Sequence, residues 1–344
     1  MARNQTIYSE LTVLKAMTGI HLESEPAYAL YWSRYQEEHI KRDETAKGRK
    51  TEKTLTLAGE AIRLFFEEKG LTLNSSNVRW TGNEKEMSAS ANDISVCLYG
   101  THEFKISVKE KSDVMKNSSP GKLFEHSLKG RVYGSEKHPN WFGEVAPVEQ
   151  EELFSAINEA AELGLNSSKD LYALKKEDRK KVLAPLEKNV AVKEAYVKMC
   201  KRVTEATCER FNKEAEEFGV SKDSIHETVF FDLMRMEHND CIVCGLEKSG
   251  SKPLAVVFPS ISEWKRDYKI AEMVLVPGNH AQPVVYLKFK VLNKESKSIH
   301  EVVFRIEIRW SHGKFCGNPE AKVYRTFMFA ELPWVKNLNR INKN

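Results

Sequence analysis

The strongest constraint on the fold is a strict alternation of apolar and polar side chains through residues 93–109. The apolar positions on its two arms are Ile94, Val96, Leu98, Phe104, Ile106 and Val108. Period-two alternation on both sides of a Gly-containing turn predicts two half-buried antiparallel strands. With the turn centred near Gly100, Asp93 falls opposite Ser107, and side chains paired in this way lie about 5 Å apart. Asp93, Ser107 and Lys109 are therefore predicted to converge on one polar patch of the hairpin.

An Asp on one strand with a Ser-Val-Lys triplet on the next resembles the core of the PD-(D/E)xK nuclease superfamily. The triplet Ser107-Val108-Lys109 is similar to the form in a subgroup of type II restriction endonucleases, in which the second carboxylate has left the strand. The resemblance covers roughly residues 50–130 and departs from the family pattern at Asn92, where the family has Pro. It implies an α/β (α+β) fold, with a restriction-endonuclease-like mixed sheet flanked by helices.

The resemblance also implies a second carboxylate near Asp93. In the subgroup a glutamate on the helix after the hairpin supplies it, and Glu125 occupies that position here. Glu103 is the alternative, because Glu103-Phe104-Lys105 is another acid-x-Lys triplet on the same strand face, although it lies near the turn.

The segment before the hairpin adds a third candidate acid. Residues 55–70 have the apolar spacing of an amphipathic helix, with Gly70 placed to end it. Glu60 on this helix matches a family glutamate that often contacts a metal or its water; the alternative is a solvated surface residue.

These residue types suit phosphodiester hydrolysis with Mg²⁺ as the cofactor. Mg²⁺ is held by one or two carboxylates while it keeps several waters, so the expected ligands are Asp93, Glu125 or Glu103, and Glu60. A bound divalent ion lowers the pKa of one water and polarises the phosphate. Lys109 is expected to orient or deprotonate that water and to neutralise the developing charge.

Composition sets only wide bounds on function. The 344 residues carry a net charge of +4, so no global basic field indicates nucleic acid, although a local basic groove would suffice. The six cysteines are scattered, the N-terminus has no apolar signal core, and no apolar run is long enough for a membrane span. A reduced, cytoplasmic compartment is expected. Cys241 and Cys244 have zinc-ligand spacing, but without a second pair buried thiols in a strand are favoured.

The chain is predicted to contain four stretches. Residues 1–53 form an N-terminal helical segment followed by an exposed basic loop, at about 39–53, that could contact phosphates. Residues 54–148 form the catalytic core, and residues 149–224 a helical layer. Residues 225–344 are β-rich and are predicted to recognise DNA and complete the core.

Two tracts contain residue types that pair with bases and phosphates. One follows the hairpin and the other lies on the C-terminal strands, where the alternative is an ordinary sheet with a charged outer face. The predicted DNA-binding residues are Lys111, Lys116, Asn117, Lys122, Arg305, Arg309, Lys314, Asn318, Lys322 and Arg325.

The expected function is that of a Mg²⁺-dependent, sequence-specific endonuclease that cuts double-stranded DNA, as type II restriction enzymes do. A homodimer is expected, because a two-fold symmetric protein most simply cuts both strands of a symmetric site. The alternatives are a repair or recombination nuclease that reads DNA shape, and a non-catalytic protein that binds nucleic acid.

Overall fold

A computed structural model describes residues 2–81, 93–98, 102–110, 113–125, 140–167, 188–217, 222–236, 241–247, 252–311 and 318–339. The helices in chain order are α1 Ala2–Thr18, α2 Pro26–Asp43, α3 Ala46–Glu67, α4 Pro120–Phe124, α5 Trp141–Val145, α6 Pro147–Ala160, α7 Val190–Glu217, α8 Lys222–Met234 and α9 Ile261–Asp267. The strands are β1 Val78–Trp80, β2 Ile94–Leu98, β3 His102–Glu110, β4 Val114–Ser118, β5 Cys241–Leu246, β6 Pro253–Phe258, β7 Tyr268–Pro277, β8 Val284–Asn293, β9 Ile299–Trp310, β10 Pro319–Arg325 and β11 Lys336–Asn337. Two predicted DNA-binding residues, Lys111 and Lys314, lie outside the described residues.

The predicted mixed α/β class is confirmed, and the chain divides into two compact units. The first comprises Met1–Asp113, Met234–Asp267 and Phe327–Asn344, and the second comprises Val114–Leu233 and Tyr268–Thr326. The first contains a mixed sheet of order β1-β2-β3-β5-β6-β11, in which β3 and β5 are parallel. The second contains an antiparallel sheet of order β4-β10-β9-β8-β7.

These units cut across the four consecutive stretches predicted from the sequence. Strand β3 of the predicted core pairs with β5, and β5 pairs with β6, so part of the C-terminal region completes the hairpin's sheet. Strand β11 also joins this sheet, beside β6, whereas strands β7 to β10 form a separate sheet with β4. The division into two units therefore depends on pairing between strands that are distant in the sequence.

The hairpin forms with the predicted register. Ile94 pairs with Ile106 and Leu98 with His102, which places Asp93 beside Ser107. The apolar side chains of Ile94 and Ile106 are fully buried and pack with α1 and α3 in one hydrophobic core. The alternation thus gives one buried face and leaves the other face for polar groups.

The predicted exposed loop at about 39–53 is wrong, because the structure is helical through most of this segment. Helix α2 continues to Asp43, and α3 begins at Ala46 after an N-cap in which Thr45 accepts a hydrogen bond from the Gly48 amide. A Cβ at Gly48 would overlap the Arg42 backbone, so glycine permits this close approach. The charged side chains mostly lie on the solvent faces of the two helices.

The second unit confirms the predicted C-terminal strands. On β9, Val302, Phe304, Ile306 and Ile308 are all fully buried, as the alternation predicted. Helix α7 packs against α6 and against β7, which gives this sheet a helical cover. No helix among the described residues is long and apolar enough to cross a membrane.

Candidate active site

Asp93 lies at the start of the hairpin, and strand β3 fixes the position of its carboxylate. Asp93 Oδ2 accepts a hydrogen bond from the Val108 amide at 2.6 Å and another from Ser107 Oγ at 3.3 Å. The Asp93 amide donates to the Ile106 carbonyl at 2.9 Å. Ser107 thus holds the carboxylate in place, at the position where many members of the resembled family have an acid.

Glu10 of α1 supplies a second carboxyl group beside Asp93, and its side chain is only 3% exposed. Trp80 Nε1 on β1 donates a hydrogen bond to Glu10 Oε2 at 2.7 Å. Strand β1 carries Trp80 directly opposite Ile94, the residue after Asp93. Helix α1 and strand β1 therefore bring an acid to the hairpin that the sequence analysis did not select.

Glu10, Asp93 and Lys109 lie in one charged cluster in which burial and neighbouring charges shift their pKa values. Burial raises the pKa of Glu10 to about 8, and the negative charge of Asp93 and a hydrogen bond between the two carboxyl groups act in the same direction. The Trp80 N–H and the positive charge of Lys109 oppose this rise. Burial also raises the pKa of Asp93, against the stabilising effects of Lys109, the Val108 amide, Ser107 and Arg235.

Lys109 is the basic amine of the site. It is partly buried on β3 and pairs in register with Gly245 of β5. Burial lowers the pKa of Lys109, and so does the positive charge of Arg235, while Asp93 and Glu10 raise it. The amine is thus easier to deprotonate than an exposed lysine, which is a property of lysines that exchange protons in catalysis.

Two carboxyl groups that share a proton form a site a divalent cation can occupy by displacing that proton. No group of three or more His, Cys, Asp or Glu side chains in the described ranges is arranged to hold a metal. Glu10 and Asp93 are two carboxylates, which is the number that commonly holds Mg²⁺ when waters and substrate phosphates complete its shell. The residues present therefore fit Mg²⁺.

Of the other sequence-predicted acids, Glu103 lies away from the hydrogen bonds of Asp93. Glu103 pairs in register with Cys97, toward the hairpin turn, whereas Asp93 is bonded at positions 107 and 108. Glu60 is partly buried on α3. Glu10, in contrast, shares a hydrogen bond with Asp93 and interacts with the charge of Lys109.

Glu125, the preferred second acid, lies in the second unit at the end of α4. Its buried carboxylate forms an ion pair with Arg210 of α7. Arg210 also pairs with Glu144 at 3.5 Å and with Glu214 at 3.5 Å, and it stacks over the Trp141 ring. The structure thus gives Glu125 a place in a cluster that ties α7 to the start of α5.

The predicted DNA-binding residues of the second sheet divide between its two faces. One face, called here the charged face, has Arg305 opposite Tyr324 and Arg309 opposite Glu320. Lys322 on this face pairs in register with Asn117 of β4, which is exposed. Arg305 binds Glu307 at 2.9 Å and Arg309 binds Glu320 at 2.8 Å, so both arginines already have acidic partners.

The other predicted DNA-binding residues lie elsewhere. Arg325 is 2% exposed, and this burial is incompatible with the predicted contact to a duplex. Lys116 pairs in register with Val323, on the opposite face from Lys322, and forms an ion pair with Asp232. Lys122 on α4 and Asn318 before β10 are exposed.

The Cys-x-x-Cys segment forms strand β5, as favoured from the sequence. Cys241 and Cys244 are buried free thiols in this strand. Burial raises the pKa of Cys244, which keeps its thiol protonated. Both positions thus contribute to the interior of the first sheet.

Glu10 could have been found from the helical pattern of α1. Glu10, Leu14 and Met17 follow the i, i+4, i+7 spacing, and Leu14 and Met17 are fully buried. An acid within a buried apolar stripe is costly unless it is partnered. Such a residue is a functional candidate, and the apolar stripe around Glu10 is the signal that could have identified it.

No protein-family model, curated protein or solved structure matches this chain.

Proposed function

We propose that this protein is a Mg²⁺-dependent endonuclease that hydrolyses phosphodiester bonds of double-stranded DNA. The observation that carries the proposal is the convergence of Glu10, Asp93 and Lys109 at one partly buried site. Adjacent strands of a mixed sheet supply the Asp and the Lys, and a flanking helix supplies the Glu. Two carboxyls and one amine are the groups that metal-assisted phosphate hydrolysis uses.

In this proposal Glu10 and Asp93 hold the metal and Lys109 acts on the nucleophile. Mg²⁺, when bound, supplies positive charge to the phosphate and acidifies a water. Ser107 and the Val108 amide keep Asp93 oriented, while Trp80 does the same for Glu10.

Lys109 Nζ accepts a proton from the attacking water. The water oxygen bonds to phosphorus, one phosphorus–oxygen ester bond breaks, and the leaving oxygen takes up a proton from a solvent water. A lysine with a lowered pKa is suited to this step because a larger fraction of it is neutral near pH 7. The ammonium that results lies beside the phosphate and offsets its developing negative charge.

The proposal includes recognition of a specific DNA sequence by the second unit and action as a homodimer in the cytoplasm. The charged face carries Arg305, Arg309, Lys322 and Asn117, which are residue types that contact base edges and phosphates. Two copies related by a two-fold axis would place one site on each strand of a symmetric target. Mass measurement by light scattering, with and without duplex DNA, checks the dimer.

The ion pairs of the charged face favour a second candidate function, that of a nuclease that recognises DNA shape. Arg305 and Arg309 are engaged by Glu307 and Glu320, and base readout would require both to leave these partners. Contacts to the DNA backbone do not require both arginines to leave their acidic partners at the same time.

The test is digestion of a long unmodified DNA of diverse sequence by the purified full chain, with Mg²⁺ or with EDTA. Discrete fragments that require Mg²⁺ support the site-specific enzyme, and their ends identify the target sequence. A Mg²⁺-dependent smear supports the shape-reading nuclease. DNA that stays intact with Mg²⁺ across several sequence contexts, pH values and protein concentrations contradicts the catalytic proposal.

A further inference from the structure

Three planar side chains lie side by side on the charged face of the second sheet. Tyr286 of β8 pairs in register with Arg305 of β9, and Arg305 pairs with Tyr324 of β10. Each of the three residues is partly exposed. Side chains paired in this way on one face of a sheet lie about 5 Å apart, so the three form a continuous row, called here the planar row.

The polar ends of the planar row are held by neighbouring side chains. Glu307, only 8% exposed, accepts a hydrogen bond from the Tyr324 hydroxyl at 3.0 Å through Oε2, and its Oε1 lies 2.9 Å from Arg305 Nη2. The Arg305 guanidinium lies over the Tyr324 ring, 4.6 Å from its centre. At the other end of the row, the Tyr286 hydroxyl and His280 Nε2 form a hydrogen bond of 2.9 Å. These side chains are thus positioned in advance, which reduces the entropy that binding a ligand would cost.

A lysine flanks the planar row on each side. On β9, Val303 and Glu307 lie two positions before and two positions after Arg305. Lys288 of β8 pairs with Val303, and Lys322 of β10 pairs with Glu307. Positive charges on both sides of a row of planar groups complement a strand in which charged phosphates alternate with flat bases.

Unpaired bases fit this surface better than a duplex does. In a duplex each base is stacked between its neighbours, and a protein reads only the donors and acceptors on the base edges. Arg305 already forms an ion pair with Glu307, so reading an edge would require this pair to break. An unpaired base stacks on the face of a guanidinium or a tyrosine ring, and the ion pair is then kept.

We propose that the planar row stacks the bases of a single-stranded DNA segment and that Lys288 and Lys322 contact its phosphates. Binding by the second unit then directs the enzyme to duplexes that contain an unpaired stretch. The binding itself is argued from the charged face alone, whereas the substrate preference rests on the proposed function. Stacking on aromatic rings tolerates any base, so this inference favours the second candidate function over recognition of a specific sequence.

The first test measures the binding of a labelled oligothymidine of about 12 nucleotides to the full chain in EDTA. The comparison ligand is an abasic strand of the same length, which keeps the phosphates and lacks the bases. The wild type should bind the oligothymidine about tenfold more tightly or better, because stacking of one base changes affinity by roughly that factor. Equal affinity for the two strands would overturn the proposal.

Variants of Tyr286 assign the stacking to the planar row. Tyr286→Leu keeps an apolar side chain on β8 but removes the ring, and it should weaken binding of oligothymidine about tenfold without weakening binding of the abasic strand. Tyr286→Phe keeps the ring and should restore most of the affinity. Ile299→Ala is the matched control, because Ile299 is an exposed apolar residue of β9 in the same sheet. Binding of oligothymidine by Tyr286→Leu with the affinity of the wild type would show that the row does not stack bases.

Photochemical cross-linking tests the same contact in the unaltered chain, so its result does not depend on the folding of a variant. Oligothymidine that carries 5-iodouracil forms cross-links to aromatic side chains in contact with the modified base. The cross-links are expected at Tyr286 or Tyr324. Cross-links found only at other elements would contradict the proposal.

Cleavage with Mg²⁺ tests the substrate preference separately. A duplex with an internal unpaired stretch should be cut about tenfold faster than the fully paired duplex, and Tyr286→Leu should lose this difference. If the wild type binds oligothymidine through Tyr286 but cleaves neither duplex, the nuclease proposal fails and the stacking proposal is supported. Equal cleavage of both duplexes would overturn the substrate preference, while it would support the nuclease proposal.

Discussion

At the scale of single residues, the carboxyl groups of Glu10 and Asp93 dominate the electrostatics of the first unit. Glu10 is buried and Asp93 is partly buried, and burial raises the pKa of each. Two adjacent acids that are partly or fully removed from water carry a desolvation penalty that apolar residues of similar volume would not carry. Retaining this arrangement is understandable if a cation binds there.

Glu10→Gln is predicted to stabilise the metal-free protein at pH 8. The pKa of Glu10 is about 8 in the folded chain and near 4.5 when unfolded, so the folded state holds an extra proton between these values. Stability from this group is fully present below about pH 4.5 and is lost as pH rises through 8. Gln keeps an acceptor for Trp80 and cannot ionise. Thermal unfolding in EDTA at pH 5 and pH 8 checks this.

The pH dependence should be weaker in Glu10→Gln, and Mg²⁺ should raise its Tm less than it raises the Tm of the wild type. Glu60→Gln is the control variant. Replacing Glu60 on α3 should change neither the pH dependence of Tm nor the rise in Tm that Mg²⁺ causes. Equal pH dependence in the wild type and Glu10→Gln would show that Glu10 is not the titrating group.

Asp93, Ser107 and Lys109 could be placed together from the sequence because period-two alternation fixes strand register locally. The partner acid could not be placed in this way. Glu10 lies more than eighty positions before Asp93, and only the packing of α1 on the sheet brings the two together. Glu60 is predicted only from the resemblance, which places a glutamate on the helix before the hairpin.

Among the secondary-structure elements, strand β5 positions the backbone of Lys109 through its parallel pairing with β3. Gly245 pairs with Lys109 and has φ of +124°, and a Cβ at this position would overlap the Lys109 carbonyl. Glycine at this point allows β5 to approach β3 closely. This constraint could not be predicted from the residue pattern, because β5 is distant from the hairpin along the chain.

Gly245→Ala is predicted to destabilise the fold by about 3 kcal/mol, from backbone strain and overpacking together. The matched control is Gly19→Ala, since Gly19 also has a positive φ, of +69°, but a Cβ there meets nothing within 4 Å. Urea unfolding of both variants checks the difference. Equal destabilisation would mean that strain alone matters and that the close contact with Lys109 does not.

Helices and strands were predicted with uneven success for physical reasons. The strands of the second sheet alternate clearly, because one face is buried and the other is polar. The charge density of residues 39–53 predicts a loop, yet charged residues form good helices when they face solvent. The boundary between α2 and α3 depends on Thr45 and Gly48, which form a short capping signal within a highly charged segment.

In the whole molecule, the proposed catalysis and the proposed DNA recognition belong to different units. The first holds Glu10, Asp93 and Lys109, and the second presents the charged face. Lys322 lies over the Tyr324 ring at 5.7 Å, in register with Asn117 and Glu307. Basic side chains interleaved with an aromatic ring suit contact with a nucleic-acid backbone.

Lys322→Gln is predicted to weaken DNA binding and to lower the salt slope by about 0.9, the effect of one lost phosphate contact. Fluorescence anisotropy with a labelled duplex in EDTA measures it. The matched control is Lys290→Gln, on β8 of the same sheet, where the lysine is paired with Glu272 at 2.6 Å. Identical slopes for Lys322→Gln and the wild type would exclude Lys322 as a phosphate contact.

The most direct test of the central claim is Mg²⁺-dependent DNA cleavage by the wild type, Asp93→Asn and Asp267→Asn, purified in parallel. Asp93→Asn keeps the shape of the side chain but removes the charge that holds Mg²⁺, so its cleavage rate should fall at least 100-fold while its DNA binding in EDTA remains. Asp267, exposed at the end of α9, should be replaceable without loss. Cleavage by Asp93→Asn at the rate of the wild type would contradict the assignment of this site.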